Sequence, residues 1–140
     1  MPDTRRNTAI TQRIATWFDN AQRDLPWRRR VNGHTRDPYR ALVAEFMLQQ
    51  TQVSRVIEKF NAFVERFPTA ASLAAASEDD VLAMWSGLGY YRRARMLYRC
   101  AQDIVNRHSG KTPSSTTELE SLPGVGRYTA GAISSIVFDL

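Results

Sequence analysis

DPYRALVAEFMLQQTQV, residues 37–53, is the stretch whose reading decides the fold. Asp37 is a good N-cap and Pro38 suits the first helical position. Leu42, Val43, Phe46 and Met47 recur at helical spacing and mark a buried stripe. Glu45 has Leu42 three residues before it and Leu48 three after, so it falls at the edge of that stripe. A carboxyl held against apolar neighbours loses hydration, which raises its pKa and lets it carry a proton near neutrality. The bland alternative is a solvated helical glutamate. The helix then runs into a polar amide turn, Gln49-Gln50-Thr51-Gln52. Its side-chain amides suit paired donor–acceptor reading of base edges, or plain C-terminal capping.

On either side of this stretch the pattern stays helical. Ile10, Ile14, Trp17 and Phe18 give a first amphipathic helix from Thr8 to Asn20. Residues 21–37 lack periodicity and hold Leu25-Pro26-Trp27-Arg28, a long connection of the kind that tends to be functional. Trp27 and Arg28 could stack on and hydrogen-bond a planar ring, or Trp27 could plug a core. Val53, Ile57, Phe60, Val64 and Phe67 predict a further helix, with Thr51 as its cap and Pro68 as its stop. Thr69–Ala76 reads as a short helix and Ser77 caps another over Glu78–Ser86. Gly87 and Gly89 break the chain before the longest helix, Tyr90–His108, whose inward positions are Ala94, Leu97, Tyr98, Ala101, Ile104 and Val105. Gly110 ends it. A turn at Glu118–Ser121 precedes a last helix over Arg127–Phe138, with Ile133, Ile136 and Val137 inward. No segment alternates with period two between hairpin turns, so the class is all-α and no sheet is expected.

The composition is that of one globular domain: 140 residues, 43% hydrophobic, 24% charged. A net charge of +5 and an isoelectric point near 9.9 suit an anionic partner. Of the 19 basic residues only Lys59 and Lys111 are lysines; arginine favours bidentate phosphate contact, and a GC-rich genome produces the same bias. The single cysteine, Cys100, allows neither an internal disulfide nor a cysteine metal cluster and reads as a small core or surface residue. His34 and His108 stand alone, so no metal site is expected. Nothing approaches a membrane span or a signal peptide, and a soluble intracellular protein is expected.

Two further stretches carry chemistry. In LPGVGRYTAGAI, residues 122–133, two glycines spaced by one residue permit a tight turn and close approach of a ligand. The turn opens on a helix N-terminus beside Arg127, where N–H groups and the dipole attract a phosphate. A plain helix–helix turn would look the same. In GLGYYRRAR, residues 87–95, tyrosines on a glycine-flexed loop meet three arginines: a tip that enters a base stack above phosphate-holding side chains, or two core-edge tyrosines and a solvated face.

Taken in order, LPWR at 25–28, DPYRALVAEFMLQQTQV at 37–53, WSGLGYYRRAR at 85–95 and LPGVGRYTAGAISS at 122–135 closely resemble the MutY-type adenine DNA glycosylases. These belong to the helix-hairpin-helix DNA glycosylase superfamily. The likeness runs from about residue 10 to residue 138, and MLQQTQV with GLGYY is its most diagnostic part. The resemblance implies the helix-hairpin-helix glycosylase fold, mostly its six-helix-barrel module. Residues 1–36 become an N-terminal helix and the LPWR loop, and 37–140 the module carrying Glu45 and, over about 117–138, the hairpin.

It further implies removal of adenine mispaired with 8-oxoguanine or guanine from double-stranded DNA, by a monomer acting in the cytoplasm at the nucleoid. Glu45 becomes the catalytic acid that protonates adenine at N7. Trp27, Arg28, Leu48 and Val53 match positions lining the adenine pocket. Gln49 joins the DNA contacts, and Gln50, Thr51, Leu88 and Tyr90 match those that read or wedge beside the opposing base. Gly124, Val125 and Gly126, with Arg127, match the phosphate-gripping hairpin. Tyr128 stands where bifunctional relatives resembling endonuclease III place a Schiff-base lysine, so the likeness implies a monofunctional hydrolytic enzyme with Tyr128 in support.

The family also carries a second carboxylate in a segment resembling VDGNV, a four-cysteine 4Fe–4S cluster and a C-terminal domain. None matches a stretch of these 140 residues, and Asp139 does not fit the motif. The expectation is therefore a truncated form of a full glycosylase, its 4Fe–4S cluster belonging only to the full-length protein. Such a chain would excise adenine poorly or not at all. The alternatives are a non-catalytic DNA-binding fragment and, within the superfamily, a thymine-mismatch glycosylase.

Overall fold

The computed structural model describes residues 25–28, 30–31, 35–49 and 51–138. Chain punctuation accounts for most of the element boundaries. Helix α1, Pro38–Leu48, starts where the Asp37 carboxylate accepts the Tyr39 N–H at 2.9 Å, with Pro38 in the first turn. Helix α2, Val53–Arg66, follows an extended Gln52 that makes no side-chain cap, so Thr51 is not the cap. Helix α3, Ala70–Ala75, opens on a capping box between Thr69 and Ser72. Ser77 caps α4, Glu78–Met84, whose first turn holds three carboxylates against the helix N-terminus. Helix α5, Tyr91–His108, is the longest at 18 residues, and α6, Thr116–Glu120, starts at a Ser115 cap. Helix α7 spans Arg127–Phe138.

The all-α class stands, with one addition. Strands β1, Arg30–Val31, and β2, Thr35–Arg36, pair antiparallel, Arg30 opposite Arg36 and Val31 opposite Thr35. Two residues a side are too few for alternation to register in a sequence, which is why no sheet was expected there. The Pro26–Arg28 stretch forms a 3-10 turn. The helix expected over Thr8–Asn20, Gln50, Asp139 and the side chain of Arg28 lie outside the described residues.

The core forms where the apolar stripes meet. Leu42, Val43, Phe46 and Met47 of α1 are all buried, as their spacing predicts. Trp27 meets Phe60 edge-on at 5.3 Å, and Phe63 does the same with Trp85 at 6.0 Å. Pairs of this geometry add about 0.5–1.5 kcal/mol each beyond the area they bury. Tyr39 donates its hydroxyl to the Phe67 carbonyl at 2.7 Å, tying α1 to the end of α2, and burial beside Asp37 pushes the phenol pKa well up. On α5 the buried arc is Ala94, Leu97, Cys100, Ala101 and Ile104. Val105, expected inward, is 37% exposed. The arc reaches Cys100 on one flank, which leaves Tyr98 and Val105 on the opposite edge.

Helix α1 lies against α2, α5 and α7, α3 and α4 pack on α5, and α6 folds back on α7. Arg36 donates to the Ile136 carbonyl at 3.1 Å, fastening β2 beside α7. No helix among the described residues is long and apolar enough to cross a membrane.

Candidate DNA interface and catalytic site

Packing of α1 against α7 brings the two chief sequence motifs to one end of the molecule. Gln49, which closes α1, donates its amide to the Thr129 hydroxyl on α7 at 3.3 Å. Glu45 lies one turn earlier on α1 and is half-buried, at the edge of the stripe as its spacing predicts. Leu48, also half-buried, packs against the core. Tyr128 is 88% exposed on the first turn of α7. Val53 is exposed at the start of α2. Trp27 has 2% of its surface exposed and its ring engaged with Phe60, so its indole is part of the wall behind α1.

The hairpin is Leu122-Pro123-Gly124-Val125-Gly126. Leu122 and Val125 are buried and fasten the turn to the core, and the Val125 N–H is spent on the Leu122 carbonyl at 3.2 Å. What the hairpin offers outward is therefore its glycine backbone and the first turn of α7, where Gly126 supplies the carbonyl for Ala130 N–H at 2.9 Å. Gly124 has φ +74°, and a Cβ there would overlap the Met96 side chain. Only glycine meets both conditions.

Residues 87–90 form a second projecting turn. Gly87, Gly89 and Tyr90 all have positive φ, at 91°, 71° and 52°. A left-handed conformation in a tyrosine costs about 1 kcal/mol and persists only where its surroundings impose it. Two side chains from outside the turn do so: Trp85 donates its indole N–H to the Gly89 carbonyl at 3.0 Å, and Arg55 donates to the Gly87 carbonyl at 3.0 Å. Tyr90 and Tyr91 are 56% and 44% exposed, which removes the core-edge reading of these rings. Leu88, in contrast, is 5% exposed; it lines a polar recess of ≈ 560 Å³ with Thr51, Gln52 and Arg55.

Between the two turns lies a second cavity of ≈ 320 Å³. Phe46 and Met96 are its apolar walls, Gln49 and Gly124 its rim, and Tyr90, Arg92 and Arg93 its outer edge. Partial burial lowers the Arg93 pKa from its usual value. Arg95, the third arginine of the run, pairs instead with Glu78 at 3.2 Å on the surface. The structure thus gathers Glu45, Gln49, Tyr90, Gly124, Gly126, Arg127 and Tyr128 around one end of α1, α5 and α7. Trp85, Arg55 and Met96 were not singled out from the sequence, although the four-residue spacing of Trp85 and Gly89 hints at their bond.

Comparisons with known proteins identify the family and the fold. Residues 43–137 match the HhH-GPD superfamily of base excision DNA repair proteins. Rat adenine DNA glycosylase is 47% identical over 136 residues, covering 94% of this chain and 26% of the relative. Its counterpart in Mycolicibacterium smegmatis is 44% identical over 126 residues, covering 90% of this chain and 42% of the relative. The chain thus spans 26–42% of the length of these two relatives. Among solved structures it superposes on a thermostable thymine-DNA glycosylase with a TM-score of 0.76 at 27% identity, covering 94% of this chain and 59% of the other. A non-covalent endonuclease III–DNA complex matches with a TM-score of 0.72 at 23% identity, over 99% of this chain and 62% of that one, and supports the fold alone.

Proposed function

Because this chain belongs to the HhH-GPD superfamily of base excision DNA repair proteins, we propose that it acts on DNA as a monofunctional adenine glycosylase. Its substrate in this reading is duplex DNA with adenine opposite 8-oxoguanine or guanine. The observation that supports the reading is the α1–α7 contact, in which Gln49, one turn after the half-buried Glu45, bonds Thr129 of the hairpin helix. The identity of 47% to an adenine glycosylase, against 27% to a thymine-DNA glycosylase, favours adenine over thymine.

The hairpin grips a phosphate of the strand with the Gly124 and Gly126 backbone and the start of α7, so binding is insensitive to sequence and sensitive to salt. Tyr90, on its preformed turn, enters the stack beside the opposing base, with Leu88, Thr51 and Gln49 behind it. Inserted side chains of this kind help offset the few kcal/mol that base extrusion costs. Leu48 and Val53 flank the extruded adenine, with the buried Trp27 as part of the core wall behind them.

Glu45 donates its proton to adenine N7. The C1′–N9 bond then breaks, its electron pair leaves with the neutral purine, and the deoxyribose becomes oxocarbenium-like. Water adds at C1′, and the proton it sheds balances the one Glu45 gave. Tyr128 supports this chemistry without supplying an amine, so no Schiff base forms and the strand is left uncut. The family's 4Fe–4S cluster requires four thiolates; Cys100 is the one cysteine here and is buried in the core, so no step depends on it.

The reading is tested by titrating the chain into short duplexes at low and moderate salt. Binding that weakens steeply with salt, and is tighter for adenine opposite 8-oxoguanine than for adenine opposite thymine, is expected. Equal affinity for the two duplexes would count against it.

A further inference from the structure

Met96 and Cys100 stand one turn apart on α5, and both face the hairpin 23 to 28 residues later in the chain. Cys100 is fully buried, and its thiol donates to the carbonyl of Pro123. Burial, with Asp103 adding to it, pushes that thiol up to about 12, so it remains a protonated donor across the physiological range. Met96 lies directly beneath Gly124, in the space a Cβ would need.

The consequence follows from peptide geometry. The Pro123–Gly124 bond is trans, as are all the described peptide bonds, and in a planar trans peptide the C=O and N–H point in opposite directions. A Pro123 carbonyl drawn inward to Cys100 therefore turns the Gly124 N–H outward. That N–H has no hydrogen-bond partner among the described residues, while its neighbour on Val125 is occupied by Leu122.

We propose that Cys100 is a positioning residue for DNA binding: its buried thiol orients the Pro123–Gly124 peptide so that the Gly124 N–H is aimed at a backbone phosphate, with Met96 as the seat beneath it. This rests on the phosphate-gripping reading of the hairpin given above. A serine in the same place keeps a donor and loses volume. A valine keeps apolar volume and loses the donor. The two therefore separate orientation from packing.

The experiment follows the Gly124 amide by ¹⁵N-resolved NMR while short duplex DNA is added, and measures affinity by fluorescence anisotropy in the wild type, Cys100→Ser and Cys100→Val. The wild type and Cys100→Ser should bind alike and show the Gly124 amide moving on DNA addition. Cys100→Val should bind about tenfold more weakly, the factor corresponding to one charge-assisted hydrogen bond of ~1.4 kcal/mol, and its Gly124 amide should stay put. The reverse order, an equal loss in both variants, or no loss in either would overturn the proposal and leave Cys100 a packing residue. A wild type that neither binds DNA nor shifts Gly124 would instead remove the hairpin reading on which it rests.

Discussion

Replacing Gly124 by alanine tests the shape of the hairpin most sharply. Two separate penalties apply. The φ of +74° lies in the left-handed region, which costs a residue with a Cβ about 1–2 kcal/mol. The new Cβ also overlaps the Met96 Cγ and approaches its sulfur to 3.0 Å, an overpacking worth about 1–3 kcal/mol if the side chain must shift. The sum is about 2–5 kcal/mol. At about 2–4 °C per kcal/mol for a domain of somewhat larger size, Tm should fall by roughly 10 °C.

The two penalties separate in a double-mutant cycle with Met96→Ala. Only the Met96 Cβ, at 3.5 Å, would then remain near the alanine, an ordinary contact. In that background Gly124→Ala should cost only the backbone share, about 1–2 kcal/mol. Thermal melts by circular dichroism give the stabilities, and anisotropy with short duplexes gives the affinities, which should fall in both backgrounds. An identical cost of Gly124→Ala with and without Met96 would refute the seat, and no cost in either would refute the strained turn.

Three further outcomes are expected. Tyr90→Asn places a residue tolerant of left-handed backbone at φ +52° and should raise stability by up to ~1 kcal/mol, while weakening duplex binding through loss of the ring; calorimetry and anisotropy together check the opposed signs. Trp85→Phe removes the donor to the Gly89 carbonyl and leaves a gap in the core. It should destabilise by about 2–3 kcal/mol, and faster DNA dissociation measured by stopped flow would reveal the loosened turn. For Cys100, the thiol ionises near about 8.5 in the unfolded chain but only at about 12 in the fold, so above the lower value the unfolded chain holds fewer protons. Its contribution is complete below pH ~8.5 and declines as pH rises towards 12, by at most ~1.4 kcal/mol per unit; denaturant melts of wild type and Cys100→Ala across that range should converge.

What could be read from sequence was whatever periodicity and punctuation encode. The α1 stripe, the Asp37 and Ser77 caps, the hairpin glycines and the edge position of Glu45 depend on residue types a few positions apart, and all stand in the structure. Features set by distant contacts were not legible. Met96 beneath Gly124, Cys100 on the Pro123 carbonyl and Arg55 on Gly87 join segments more than twenty residues apart. Tyr90's positive φ leaves no trace in composition, because the turn before it is held by the Trp85 and Arg55 bonds to Gly89 and Gly87. Val105 shows the limit of a stripe read from hydrophobicity alone: the buried arc is shifted toward Cys100, which leaves Val105 outside it.

Glu45 is proposed as the acid of an adenine glycosylase. Its most direct test grafts residues 43–137 in place of the matching segment of rat adenine DNA glycosylase, which is 47% identical to this chain. Adenine release from duplexes carrying adenine opposite 8-oxoguanine is then followed under single-turnover conditions. The graft should release adenine, and Glu45→Gln should slow release by about 10²-fold or more while leaving duplex affinity intact, as expected of a group needed only to move a proton. A Glu45→Gln graft that releases adenine at the unmutated rate, or a graft that binds these duplexes yet releases thymine from mismatches instead, would contradict the account.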